Sequence, residues 1–261
     1  MITVSEQMNE STKVLLLKSQ NDDGSIDPYE EHVTSLGFSV DLVPVIEFVF
    51  TNKKGLLEKL SNAEYYNGVI FTSKRAVEAV AGSLGNQCRE ELLNQWRSKK
   101  IYVVGKGTKE HVLSNLGLES SGEDTGNAEE LAQYIINDKD QVENCRYLFP
   151  KGNLARSTIS KILLEKGFEI DEVTCYETQP NSNLENILKN LHLPAYIVLF
   201  SPSGAGASLP ILSQIFDDKF KDVKIVAIGP TTEAEILKLG FQVDHVVSKP
   251  TPVMLGDTLQ L

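Results

Sequence analysis

Tyr102-Val103-Val104-Gly105-Lys106-Gly107-Thr108 and Val226-Ala227-Ile228-Gly229-Pro230-Thr231-Thr232 are one pattern written twice. Each is an apolar run that fits a buried strand, a glycine turn, and the start of a helix that ends at Leu116-Gly117 or Leu239-Gly240. Two further pairs repeat it. Val69-Ile70-Phe71-Thr72-Ser73, with a helix from Lys74, aligns with Val198-Leu199-Phe200-Ser201-Pro202, with a helix from Ser203. Val14-Leu15-Leu16-Leu17 leading to Leu36-Gly37-Phe38-Ser39-Val40-Asp41 aligns with Tyr147-Leu148-Phe149 leading to Lys166-Gly167-Phe168-Glu169-Ile170-Asp171. Short continuous apolar runs alternating with longer amphipathic segments mark parallel sheets covered by helices on both faces. The fold class expected is α/β, with two doubly wound lobes. Asp27-Pro28 suits an N-cap and first helical residue, and Gly37, Gly117, Gly167 and Gly240 suit helix ends.

Composition narrows the function. The chain has 261 residues, 25 Lys and Arg against 36 Asp and Glu, and a net charge of −11, which would repel a phosphate backbone and argues against nucleic-acid binding. Its longest strongly apolar run, Ala195 to Phe200, falls far short of the roughly 18 to 20 residues of a membrane span. The polar start, Met1 to Lys13, lacks the layout of a secretory signal or transit peptide, so a cytoplasmic protein is expected. Cys88, Cys145 and Cys175 show no C-x-x-C spacing and read as reduced structural thiols. His32, His111, His192 and His245 are scattered singly, so no metal site is expected.

The turns after the apolar runs are rich in Gly, Ser, Thr and Asn: Thr72-Ser73-Lys74-Arg75, Gly105-Lys106-Gly107-Thr108, Lys151-Gly152-Asn153, Ser201-Pro202-Ser203-Gly204 and Gly229-Pro230-Thr231-Thr232. A single such turn is most simply a helix cap. Five together, presenting free backbone N–H groups with hydroxyls beside four of them, suit a carboxylate or phosphate ligand. Lys74, Arg75, Lys106 and Lys151 would make the mouth of one lobe locally positive. Neither G-x-x-x-x-G-K-[ST] nor G-x-G-x-x-G is present, and no G-x-S-x-G elbow supports nucleophilic catalysis. Hydroxyl groups remain as proton-transfer candidates, Tyr176 at the end of an Ile170–Cys175 strand among them.

The ordered set Lys13-Val14-Leu15-Leu16-Leu17-Lys18, Asp27-Pro28-Tyr29, Phe71-Thr72-Ser73 with Arg75-Ala76-Val77-Glu78-Ala79, Tyr102-Val103-Val104-Gly105, Gly126-Asn127-Ala128-Glu129, Phe200-Ser201-Pro202-Ser203-Gly204 and Ala227-Ile228-Gly229-Pro230-Thr231-Thr232 resembles the uroporphyrinogen-III synthase family in its eukaryotic form. The resemblance runs from Lys13 to Thr258. It implies a monomer whose first units are exchanged: residues 1–44 with 180–261 form one lobe and 52–170 the other. Residues 45–51 and 171–179 would be β connectors, with the site in a cleft between the lobes. The implied substrate is hydroxymethylbilane, a linear tetrapyrrole with eight carboxylates. The implied reaction is loss of water and cyclisation through a spiro intermediate that inverts the terminal ring, with no cofactor. Tyr176 matches the family tyrosine that assists departure of the hydroxyl. Thr72, Ser73, Thr108, Ser201, Thr231 and Thr232 match hydroxyl residues of the cleft, and Arg75, Lys151, Gly152 and Asn153 complete the expected substrate contacts. Lys74 and Lys151 depart from the family pattern, and residues 1–11 extend beyond its usual start. The alternative from another class is a non-catalytic two-lobe module that closes on an anionic small molecule.

Overall fold

The computed structural model describes residues 12–19, 26–85, 89–138 and 145–261. Cys88 and the extension at 1–11 therefore lie outside the described residues. The chain divides into two compact units, Met1–Glu47 with Gln179–Leu261, and Phe48–Thr178.

The first unit holds β1 (Lys13–Leu17), α1 (Pro28–Ser35) and β2 (Ser39–Val43) from the start of the chain. After the second unit it resumes with α8 (Leu184–Lys189), β8 (Tyr196–Leu199), α9 (Pro202–Phe216), β9 (Lys224–Ile228), α10 (Pro230–Lys238), β10 (His245–Val247) and α11 (Pro252–Leu259). Its sheet runs β10-β9-β8-β1-β2, with every neighbouring pair parallel. Alternate residues face opposite layers. Leu15 and Leu17 join one apolar cluster with Ile197 and Leu209, while Val14 and Leu16 join another with Val33 and Val226. Strand order reverses between β8 and β1, the place where doubly wound sheets open a crevice for ligands.

The second unit holds α2 (Lys53–Leu60), β4 (Gly68–Phe71), α3 (Lys74–Ser83), α4 (Arg89–Trp96), β5 (Lys100–Val103), α5 (Lys106–Leu116), α6 (Ala128–Ile136), β6 (Arg146–Gly152) and α7 (Thr158–Glu165). Strands β3 (Ile46–Phe50) and β7 (Glu169–Pro180) each cross a unit boundary, and their sheet runs β3-β7-β6-β4-β5. The β7-β6-β4-β5 part repeats β2-β1-β8-β9. Even the fifth strand has a remnant, since Ser121 makes an isolated parallel bridge to Tyr102 where β10 pairs with β9. This sheet too is buried on both faces, with Val69 and Phe71 in one cluster and Ile70 in the other.

The repeat is preserved down to backbone angles. Gly105 and Gly229 both stand at φ 81°, a left-handed conformation that favours glycine. The N-caps Ser73 (φ −154°, ψ 149°) and Ser201 (φ −154°, ψ 154°) also coincide. This corrects the alignment of the second pair by one residue. Ser73 corresponds to Ser201 rather than to Pro202, and α9 begins at Pro202 rather than Ser203. The matching phenylalanines misled the alignment, because Phe71 ends β4 whereas Phe200 lies just past β8. Asp27 caps α1 as expected, accepting from the N–H groups of Tyr29 and Glu30.

Candidate functional site

In the second unit the strand order reverses between β6 and β4, and of the predicted residues Thr72, Ser73, Arg75, Lys151, Gly152 and Asn153 lie at the carboxyl ends of these two strands. After β4 the chain turns through half-buried Thr72 into Ser73, whose Oγ accepts from the Ala76 N–H at 3.2 Å and caps α3. Strand β6 pairs regularly with β7 as far as Lys151 opposite Thr174. The register then slips, and Gly152 stands opposite Tyr176. Such a bulge re-aims a side chain. Here it brings the Tyr176 hydroxyl to 3.1 Å from Ser73 Oγ.

Gly152 is required by this seat. A Cβ there would lie 2.5 Å from Tyr176 Cζ and 2.8 Å from its hydroxyl oxygen. Asn153 fixes the backbone beside it. Its N–H donates to the Tyr176 carbonyl at 3.1 Å, and its Oδ1 accepts from the Thr178 N–H at 3.0 Å. Phe48 meets the Tyr176 ring edge-on at 6.5 Å and carries the Arg75 guanidinium on its face, 3.2 Å from the ring centroid. Tyr176, Ser73, Gly152, Asn153 and Arg75 thus form one constellation. The expected strand end at Cys175 is not where β7 stops, since the strand continues through Tyr176 to Pro180.

Several expectations are corrected. Lys151 does not stand as a bare positive charge: its Nζ lies 2.5 Å from Glu172, which also accepts from the Ser160 hydroxyl. Burial pushes the Glu172 carboxyl up, but hydrogen bonds from Lys151 and Ser160 outweigh it and hold the carboxyl below its ordinary value. Lys106 is exposed and lies 3.7 Å from Asp124. Of the four basic residues expected at the mouth, Lys106 and Lys151 thus stand beside acids. Thr108 and Thr232, matched in the repeat, are 6% and 1% exposed at the starts of α5 and α10. Thr231 is exposed at the start of α10. Ser201 caps α9 through the Gly204 N–H at 3.1 Å and lies 3.3 Å from the Ser203 hydroxyl.

Phe48 and Glu172 were missed by sequence reasoning. The glycine at 152 carried a usable signal, because glycine inside a strand often marks a bulge or close approach. Cys145 and Cys175 are buried thiols; burial pushes the Cys175 thiol up to about 12, leaving it a neutral, poor nucleophile. Among the described residues, no group of three or more His, Cys, Asp or Glu could hold a metal, and no helix is long and apolar enough to cross a membrane.

The family model described as uroporphyrinogen-III synthase HemD matches residues 27–255. The chain belongs to this family. A Saccharomyces cerevisiae protein named uroporphyrinogen-III synthase is 28% identical over 270 residues, covering 97% of this chain and 98% of its own. A Schizosaccharomyces pombe protein of the same name is 29% identical, with 94% and 95% covered. Among solved structures, the uroporphyrinogen-III synthetase of Helicobacter pylori matches with a TM-score of 0.57 at 18% identity, over 95% of this chain and 99% of that one. That likeness supports the α/β architecture of two parallel-sheet units. Membership in the family does not favour the non-catalytic binding module.

Proposed function

We propose that Tyr176 is the proton donor with which this chain carries out its family's reaction, the cyclisation of hydroxymethylbilane to uroporphyrinogen III in tetrapyrrole biosynthesis. The chain is an enzyme of that pathway by its family. The assignment of roles to residues is carried by one observation, the hydrogen bond between Tyr176 and Ser73 at the reversal of strand order.

The chemistry follows from that bond. Ser73 Oγ already accepts from the Ala76 N–H, so its own proton can be donated to the Tyr176 oxygen. The phenolic proton is then directed outward, toward a departing hydroxyl. Loss of hydroxide from the terminal hydroxymethyl group requires such a proton, and leaves an azafulvene cation that the last ring attacks through its substituted carbon. Gly152 and Asn153 hold the phenol in one place, which matters because inversion must outrun direct closure. Arg75, stacked on Phe48, is proposed to take a substrate carboxylate, as are Thr72, Ser201 and Thr231 with their neighbouring backbone N–H groups. β3 and β7, crossing between the units, are proposed as the connector, and the protein as a cytoplasmic monomer.

The test supplies freshly generated hydroxymethylbilane, oxidises the products and separates the type I and type III uroporphyrins by chromatography. A shift to type III in the presence of the protein is expected. Unchanged type I from folded protein would overturn the reading and return attention to an anion-binding module.

A further inference from the structure

The sheet registers align the two units residue by residue. Lys13 pairs with Ser39 and Arg146 with Glu169, each partner standing two residues after a left-handed glycine, Gly37 or Gly167. Five residues beyond Lys13 is Lys18, and five beyond Arg146 is Lys151. Lys18 therefore occupies in the first unit the position that Lys151 holds in the second, at the carboxyl end of the strand beside the reversal of strand order.

Lys18 is held with unusual care for a residue leaving a strand. Its Nζ lies 2.5 Å from Asp27 Oδ2, 4.6 Å from the centre of the Tyr29 ring and 5.1 Å from that of Phe200. The two rings meet edge-on at 4.8 Å. Asp27 is 3% exposed, and its other oxygen is committed to the N–H groups of Tyr29 and Glu30 at 2.9 and 3.4 Å. Its charge is thus shared between the lysine and the start of α1. The Lys18 side chain remains 16% exposed, and an ammonium has three N–H donors, of which Asp27 Oδ2 takes one. Charge, fixed geometry and access coincide here.

We propose that Lys18 is a carboxylate receptor of this synthase, binding one side-chain carboxylate of the polycarboxylate tetrapyrrole while Asp27 and the two rings hold its ammonium in place. The inference rests on the function proposed above. Fixing the head group before substrate arrives removes much of the ordering cost that a flexible lysine would otherwise bring to binding.

A receptor and a purely structural ion pair respond differently to loss of each partner. The structural pair suffers alike from either loss, whereas a receptor suffers when the lysine goes. Steady-state kinetics with hydroxymethylbilane on the full chain should show KM rising about tenfold in Lys18→Gln, with kcat within about twofold. Lys18→Arg should restore KM. Asp27→Asn keeps an oxygen for capping α1 and leaves the ammonium present but less firmly held, so KM should rise far less than in Lys18→Gln. Equal rises in KM for Lys18→Gln and Asp27→Asn would overturn the proposal, as would an unchanged KM in Lys18→Gln. Wild-type protein yielding only type I product would instead overturn the underlying function, a result distinct from type III formation that ignores Lys18.

Discussion

At the scale of single residues the site turns on a phenol, a serine and a glycine. Tyr176→Phe removes the proton while leaving the ring, so kcat should fall by about 10²-fold, the usual contribution of a positioned general acid. Some type III product should persist, because the other substrate contacts still restrain the bilane. Full activity in this variant would remove Tyr176 from the catalytic role. Gly152→Ala tests position separately from chemistry. The added Cβ would lie 2.5 Å from Tyr176 Cζ, so the ring must move although its hydroxyl is intact. A displacement of this kind should lower kcat by about 10- to 100-fold and raise the share of type I product. An unchanged isomer ratio in folded Gly152→Ala would show that the seat of the phenol is not critical.

At the scale of elements, local signals were legible and irregular ones less so. Asp27-Pro28 at the start of α1 and the glycines at 37, 117, 167 and 240 were readable because caps are decided by the residue itself and its nearest backbone. The slip between Lys151 and Gly152 was legible only in part, since the glycine marks an irregularity without saying how the neighbouring strand re-pairs. Lys151 likewise looked like free charge, because nothing local says that Glu172 on the next strand will reach it. The repeat-related caps give a matched test. Ser73→Ala and Ser201→Ala should each cost about 1 kcal/mol of stability, since each leaves a helical N–H unpaired. The caps should differ in catalysis. Ser73→Ala should also lower kcat, because it removes the partner of the Tyr176 hydroxyl. Equal loss of kcat in both variants, measured beside thermal unfolding midpoints, would count against that coupling.

At the scale of the whole molecule, the alternation of strands and helices revealed the α/β class, but repeats in tandem order would have divided the chain near residue 140. The units instead divide at Glu47/Phe48 and Thr178/Gln179, because β1 pairs with β8 from the other end of the chain, Leu16 standing opposite Val198. Hydrophobic periodicity carries no information about such distant partners; the resemblance supplied the exchanged order. Chain-wide electrostatics gives a last prediction. Burial pushes the Asp171 carboxyl up, but hydrogen bonds from Lys59 and Tyr66 and the charges of Lys59 and Arg146 outweigh it and leave it low. Glu172 is also low, as are Glu47 through Gln179, Glu123 through Lys109 and Glu185 through Lys189. The unfolded chain therefore binds protons more readily at these sites, so stability rises with pH through the carboxylate range. Their contribution is complete above the unfolded values, about 4 to 4.5, and is lost as pH falls through the lower folded values. The urea midpoint should change little between about pH 6 and 8 on account of these groups and drop steeply below about pH 4. Asp171→Asn should lower the neutral midpoint and shrink the acid drop, because an amide at that position has no proton to gain. An acid limb of undiminished size in Asp171→Asn would show that the Lys59, Tyr66 and Arg146 cluster does not govern acid unfolding.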